Sequence, residues 1–280
     1  MLILAGLPIG DVSDASAHLI SAIEKADYIA AEDSRKFARL CQDLNIQHHA
    51  KVISFFEGNE IERIDELTKL LKSNKDILVA TDAGMPGISD PGYRLVRAAI
   101  ENNVQIKVLP GPSAVTTALL LSGLPTDRFC FEGFPPRTSA ARLKWFTELA
   151  EEQRTIILFE APHRITESLI DASNAFGGTR MAALCREMSK QYEEVIRGSL
   201  MQLVEWSESK EILGEITLVI SGFDPGSREV DSMQLINDVL KQEAAGLTRK
   251  EAIAEVAKQY EISKRIVFDV MVAHKSGDKI

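Results

Sequence analysis

The sequence predicts an α/β protein whose first half is built on a mainly parallel sheet. Three observations carry that expectation. Short apolar runs alternate with amphipathic helical stretches along the first half of the 280-residue chain, as in a sheet crossed by helices. Three times an apolar strand runs into a Gly- or Pro-bearing loop and then a helix, at Ile77–Arg97 (ILVATDAGMPGISDPGYRLVR), Lys107–Leu121 (KVLPGPSAVTTALLL) and Thr155–Ile170 (TIILFEAPHRITESLI). Open α/β sheets bind ligands at such junctions. Past a Gly-, Pro- and Ser-bearing stretch, Gly222–Asp231 (GFDPGSREVD), three helical patterns follow.

Taken in order, Met1–Leu7 is expected as a strand, followed by a PIGD turn and a helix over Ser16–Lys25. Tyr28–Ala31 is a short strand that ends at Glu32-Asp33-Ser34-Arg35, and a helix follows at Phe37–Leu44. Lys51–Phe55 is the next strand, and Ile61, Ile64, Leu67, Leu70 and Leu71 mark an amphipathic helix over Ile61–Ser73. After the Ile77 strand and its Gly/Pro loop a helix is expected over Tyr93–Asn102, while Asp90 and Pro91 have the chemistry of an N-cap and first helical residue, because Pro lacks the N–H that is unpaired there anyway. Ile106–Leu109 is a strand, and the helix after Pro112 ends near Gly123. Leu124–Asp127 then leads into a region where the order of elements changes. Strands are expected at Arg128–Gly133, Thr155–Phe159, Met181–Cys185, Val195–Gly198 and Glu215–Ile220, with an Arg/Lys-bearing helix after Ser139. The organisation read from this is a first domain over 1–123, a second over 124–222, a linker over 223–231 and a small helical region over 232–280.

Composition narrows the function classes. The formal charge of -9 argues against a free nucleic-acid binder that works by phosphate neutralisation alone. Residues 231–280, with eight Lys/Arg and eight Asp/Glu, are neutral. No apolar run approaches the length of a membrane span, and Met1–Ile9 reads as a first strand rather than a signal peptide. The three cysteines, Cys41, Cys130 and Cys185, are far apart and lack metal-ligand spacing, which points to reduced thiols in a cytoplasm and to no metal.

The usual nucleotide signatures, GxxxxGK[ST] and a well-placed GxGxxG, are missing, and so is a GxSxG elbow. What remains is loops rich in backbone N–H groups, with scattered acids and bases: Gly6 to Asp11, Asp82 to Gly92, and Gly111 to Ala114. Such loops suit a flat polar cofactor gripped by main chain. Read alone, Asp82 is either a turn cap or a ligand contact, and Ser113 either a first-turn residue or a contact. The Phe129-Cys130-Phe131 trio reads as strand core, and Arg137, Arg142 and Lys144 as a solvated helix face or an RNA contact.

Read in order, PIGDVSDAS, AEDSR, SFFEGNE, TDAGMPGISDPGYRLV, LPGPSAVTTALLLSGLPTDRFCFEGFPPR, FEAPHR, CREMSKQYEEV and GEITLVISG closely resemble the ribosomal RNA small subunit methyltransferase I family. That family belongs to the tetrapyrrole methylase superfamily and uses S-adenosylmethionine. The departures are small: PIGD where many members have PIGN, EDSR for EDTR, TDAGMP for SDAGTP, and REMSK for RELTK. Asp11 is the added acid, with no role legible in the sequence.

The resemblance implies a two-domain tetrapyrrole-methylase-like fold, with a mixed sheet in the second domain and the cofactor in the cleft between domains. Carried over by motif, Pro8, Asp82, Ala83, Gly84, Met85, Ile88, Ser113 and Ala114 are expected against the cofactor, with Phe159, Glu160 and Glu215 from the second domain. It further implies methyl transfer to a ribose 2′-hydroxyl of a decoding-site cytidine in 16S rRNA, and a homodimer is expected because the superfamily commonly forms them. The acidic body favours the assembled 30S subunit over naked rRNA as the substrate. A ribose hydroxyl is a weak acid, so a base or cation near its oxygen helps. The candidates are Glu32, Asp33 and Arg35, His163 and Arg164, and Arg186, Glu187 and Lys190. Arg35, Arg164, Arg186 and Lys190 are expected to hold phosphates and ribose, with a carboxylate such as Glu187 orienting the hydroxyl. Two other readings stay open: a tetrapyrrole or corrin C-methylase, and a cofactor-binding ribosome-assembly protein without catalysis. In the tail, Thr248 is expected to cap a helix with Ile253, Val256 and Ala257 as its apolar stripe, and Ser263 to start another. Arg249, Lys250, Lys264 and Arg265 are candidates there for RNA contact, or the tail packs against a second subunit.

Overall fold

The computed structural model describes residues 1–225, 232–260, 262 and 264–276. Most of the expected linker and Ser263 therefore lie outside the described residues. The chain forms two compact units. The first comprises Met1–Leu149 and Thr155–Ser221, and the second Ala150–Arg154 with the described residues from Gly222 onward.

The first unit opens with β1 (Leu2–Ala5), α1 (Ala17–Lys25), β2 (Tyr28–Ala31), α2 (Ser34–Asp43), β3 (Lys51–Ser54), α3 (Glu60–Lys72), β4 (Ile77–Ala80), α4 (Tyr93–Glu101), β5 (Ile106–Leu109) and α5 (Ala114–Ser122). The five strands form one parallel sheet in the order β3-β2-β4-β1-β5. Strand β4 (ILVA) is buried along its whole length, as a parallel strand covered on both faces requires. Side chains alternate between the two cores: Ile3 and Ala5 join Leu19, Ile23, Phe37 and Cys41 on one face, while Leu2, Val79 and Ile77 join Leu67, Leu71, Leu95 and Ala99 on the other. Helix starts are set by side chains. Ser16 Oγ accepts from Leu19 N–H at 3.0 Å, and Asp33 from Arg35 N–H at 2.8 Å.

The chain continues with β6 (Phe129–Phe131), α6 (Ser139–Glu148), β7 (Thr155–Glu160), α7 (Ile165–Phe176), β8 (Met181–Arg186), β9 (Glu194–Ser199), α8 (Leu200–Glu208) and β10 (Ile216–Ile220). The second sheet has the order β6-β7-β10-β8-β9 and is mixed. Only β6 and β7 run parallel. Both halves of the unit share a core in which Ile9, Val115, Ala118 and Leu119 pack with Ile157, Cys185, Met188 and Val219. Burial there pushes the Cys185 thiol up to about 11.

Four sequence expectations are corrected. Helix α4 starts at Tyr93, as the expected Tyr93–Asn102 helix does, but Asp90 and Pro91 are not its N-cap and first residue: Gly92 occupies the cap position with φ 137, and its N–H is accepted by the buried Glu60 carboxylate at 3.1 Å. Asp90 is thereby released from capping. Arg142 is not on a solvated face: it is 0% exposed and bridges α6 to α7 through Asp171 (2.8 Å) and Glu167 (3.3 Å). Of the Phe129-Cys130-Phe131 trio only Cys130 is buried, since Phe129 alternates outward and is 40% exposed. Helix α8 has no counterpart in the expected elements, although Ser199 and Gln202 form the capping box that starts it.

The second unit holds α9 (Ser232–Ala244), α10 (Arg249–Gln259) and α11 (Lys264–Ser276). They close on Leu235, Ile236, Val239, Ile253, Val256, Ala257, Val267 and Met271. Thr248 and Glu251 form the expected N-terminal capping box of α10. No helix among the described residues is long and apolar enough to cross a membrane.

Candidate functional site

In a parallel sheet all strands deliver their carboxyl ends to one edge, and the order β2-β4-β1-β5 brings four strand-end loops side by side. Leu7 and Gly84 exchange backbone hydrogen bonds at 2.8 and 3.1 Å, and Gly6 N–H donates to Leu109 carbonyl at 3.0 Å. A Cβ on Gly6 would lie 2.7 Å from Gly111 Cα, so only glycine lets the loops after β1 and β5 approach this closely.

A cavity of about 390 Å³ opens on this edge. The first sheet contributes Ile9 after β1, Glu32 and Lys36 after β2, Asp82 to Met85 and Ile88 to Asp90 after β4, and Ser113 to Val115 after β5. The second sheet contributes Phe134 after β6, Phe159 to Pro162 at the end of β7, Met188 after β8, and Gly214 to Thr217 entering β10. Of the residues expected at a cofactor, Asp82, Ala83, Gly84, Met85, Ile88, Ser113, Ala114, Phe159, Glu160 and Glu215 all line it. Pro8 does not: it is buried, and its neighbour Ile9 takes the wall position.

The polar side chains of the wall are tied together. Lys36 Nζ donates to Asp82 Oδ2 at 2.6 Å, and Asp82 N–H to Glu32 Oε2 at 3.0 Å. The hydrogen bond to Asp82 raises Lys36, while burial raises Glu32. Asp90 is pushed up to about 7, first by burial and then by the charges of Glu32, Asp82 and Glu215. Glu160 is held by Ala161 N–H at 2.8 Å, by the Ser168 hydroxyl and by Arg164 at 3.3 Å. Phe159 meets Phe134 edge-on at 5.6 Å between centroids. Five carboxylates thus face one lysine in the lining, an environment that favours a cationic guest with an apolar, flat portion.

None of the five residues expected to act on the substrate, Arg35, Arg164, Arg186, Glu187 and Lys190, lines the cavity. Arg35 is exposed and bound to Asp33, whose carboxyl it holds far below the usual range. Arg164 is turned inward, donating to the carbonyls of Pro135 (2.8 Å) and Pro136 (3.1 Å) as well as pairing with Glu160. Arg186 pairs with Glu194 at 2.8 Å and donates to Leu213 carbonyl at 2.9 Å. Lys190 bridges Glu187 (3.0 Å) and Glu215 (2.9 Å), which sets it one residue behind the wall. His163 is exposed and outside the lining. The backbone at Glu187 (φ 50) and Ser189 (φ 56) is left-handed without glycine. Asp11, unexplained by sequence, accepts from Ser13 N–H at 2.8 Å and caps a short turn, while its own N–H donates to Ser189 Oγ at 3.1 Å.

Sequence reading missed Lys36, Asp90, Phe134 and Met188 as wall residues. Lys36 lies four residues after Glu32, in the first turn of α2. Asp90 was obscured by the Asp-Pro pair that imitates a helix start.

Residues 1–204 match the family model described as Tetrapyrrole (Corrin/Porphyrin) Methylases. A Mycobacterium tuberculosis protein named ribosomal RNA small subunit methyltransferase I is 46% identical over 272 residues, covering 97% of this chain and 94% of the relative. The chain belongs to the ribosomal RNA small subunit methyltransferase I family, within the tetrapyrrole methylases. Another member of the family, from Thermotoga maritima, is 39% identical over 221 residues, covering 79% of this chain and 98% of its own length. A segment close in size to the second compact unit thus has no counterpart in that member. Among solved structures, uroporphyrin-III C-methyltransferase from Thermus thermophilus in complex with S-adenosylhomocysteine shares the family fold. It has a TM-score of 0.54 and 16% identity, covering 79% of this chain and 96% of its own.

Proposed function

We propose that this protein methylates the ribose 2′-hydroxyl of a decoding-site cytidine in 16S rRNA, using S-adenosylmethionine, on the 30S subunit in the cytoplasm and as a homodimer. The observation that carries the reading is the near full-length likeness to a protein named for small-subunit rRNA methylation. The cavity fits the cofactor by its chemistry. Apolar walls from Ile9, Met85, Ile88, Val115, Phe159 and Ile216 suit an adenine, and the carboxylate excess suits sulfonium and ammonium charges. When bound, S-adenosylmethionine supplies a methyl group already activated for transfer.

The residues then have to align the hydroxyl, exclude water and remove a proton; alignment alone lowers such barriers by roughly 7–11 kcal/mol at the extreme. Arg35 and Lys190, at the start of α2 and behind the Glu215 wall, are the proposed contacts to phosphate and ribose. Arg164 and Arg186 act as positioning residues, holding the Pro135–Pro136 turn and the Leu213 turn beside the cavity. In the helical tail Arg249, Lys250, Lys264 and Arg265 are proposed to add RNA contacts.

The test is incubation with labelled S-adenosylmethionine and 30S subunits lacking the modification, followed by mapping of 2′-O-methylation. A single new mark at the decoding-site cytidine is expected, with naked 16S rRNA a poorer substrate. Transfer to a tetrapyrrole precursor instead, or binding without transfer to any subunit, overturns the reading.

A further inference from the structure

Phe134 stands at the mouth of the cavity, on the loop between β6 and α6, and is 55% exposed. Its ring meets Phe159 edge-on at 5.6 Å, and Phe159 in turn meets Phe131 at 4.8 Å, so an aromatic row runs from the second sheet out to solvent. The backbone that carries the ring is fixed on both sides. Phe159 N–H donates to Gly133 carbonyl at 2.9 Å, two consecutive prolines stiffen the turn, and Arg164 Nη2 donates to the carbonyls of both. A Cβ on Gly133 would lie 4.0 Å from Ser89 Oγ, so the loop after β4 sits directly across from this one. Three residues after Phe134, Arg137 is exposed, and its guanidinium makes no ion pair among the described residues, unlike those of Arg35, Arg164 and Arg186. One pinned segment thus presents an aromatic face and a free cation at the opening.

We propose that Phe134 and Arg137 form the subsite for the nucleotide being methylated, the ring stacking on its base and the guanidinium holding a phosphate of the same strand; this rests on the reading of an rRNA ribose as substrate. The cavity itself cannot hold the strand by charge, because its five carboxylates against one lysine repel phosphate. With a net charge of -9, the chain as a whole also gains little from phosphate neutralisation. Stacking on an unpaired base supplies grip without that charge, and single-stranded RNA is bound in this way on aromatic faces assisted by arginine. The position suits the reaction as well. A base held on Phe134 keeps outside the acidic interior and leaves its own ribose at the opening, where the 2′-hydroxyl has to meet the methyl group. Arg164 then acts at one remove, as the positioning residue that fixes the Pro135–Pro136 turn beneath the ring.

The experiment compares wild type, Phe134→Leu, Phe134→Tyr and Arg137→Ala on 30S subunits, with S-adenosylmethionine affinity measured by calorimetry without RNA. Leucine keeps apolar bulk but has no flat face, whereas tyrosine keeps the face. Phe134→Leu is expected to lower kcat/KM for subunits by about 5–100-fold, with cofactor affinity and melting temperature held. Phe134→Tyr is expected to recover most of the rate. Arg137→Ala is expected to weaken subunit binding and to reduce the slope of log affinity against log salt by about one. A Leu variant with wild-type kcat/KM, a Tyr variant as impaired as Leu, or an Arg137→Ala variant with the wild-type salt slope overturns the proposal. Loss of cofactor affinity in Phe134→Leu overturns it too, since the ring would then be a wall of the cofactor site. Wild-type protein that methylates no small-subunit RNA overturns the functional reading itself, and this arm is run first so that the two failures are told apart.

Discussion

Lys36 Nζ lies 2.6 Å from Asp82 Oδ2, joining the first turn of α2 to the loop after β4 across the cavity wall. This is the one cation in a lining of five carboxylates, so it tunes the charge that a guest meets. S-adenosylmethionine carries a sulfonium charge that its demethylated product lacks. Replacing Lys36 by Met is expected to shift affinity toward the methyl donor by up to about fivefold, within the ~1 kcal/mol that a partly exposed pair contributes. Calorimetry with both ligands measures this, and an unchanged ratio would show that the pair is electrostatically silent toward the cavity.

Gly6→Ala tests the seam between the loops after β1 and β5. The added carbon would lie 2.7 Å from the backbone of Gly111, which has no flexible end to yield. Overpacking of this kind costs about 1–3 kcal/mol. Cofactor affinity is expected to fall along with the urea midpoint, because Ser113 and Ala114 move with Gly111.

Arg142 and Asp171 form a buried pair at 2.8 Å, while the other partner of Arg142, Glu167, is 72% exposed at its side chain. Removing the arginine strands a carboxylate in the core, so Arg142→Ala is expected to destabilise the protein by about 3–5 kcal/mol. Glu167→Gln should change stability by less than about 1 kcal/mol. Urea denaturation of both variants distinguishes an internal strut from the RNA contact that the sequence allowed.

Stability should fall as pH rises between the ordinary aspartate range and about 7, where Asp90 titrates. Across that window the folded protein keeps a proton that the unfolded chain has released, so raising pH favours unfolding. Burial acts in the same direction on Glu32. The hydrogen-bonded carboxylates Asp27, Asp33 and Glu194 are shifted downward and act below this window. Melting temperature followed from mildly acid to mildly alkaline pH is expected to decline, and to decline less in Asp90→Asn. An identical slope in the variant would show that Asp90 is not the titrating group.

Much of the site was legible because its residues come in contiguous runs. Asp82 to Met85, Ser113-Ala114 and Phe159-Glu160 each follow an apolar strand, and a strand end is a local property of the chain. The sequence by itself determined the alternating α/β pattern, the three loops that line the cavity and, through its ordered motifs, the family. Only the tertiary structure decided that Asp90 is released from capping, that Arg142 and Arg164 are turned inward, and that Ile9 rather than Pro8 meets the cavity. Those outcomes depend on side chains distant in sequence: Glu60 clamping Gly92, Asp171 facing Arg142 and Gly84 pairing with Leu7. Local pattern carries no information about such partners, since burial and pairing are set by where the strands are laid beside one another.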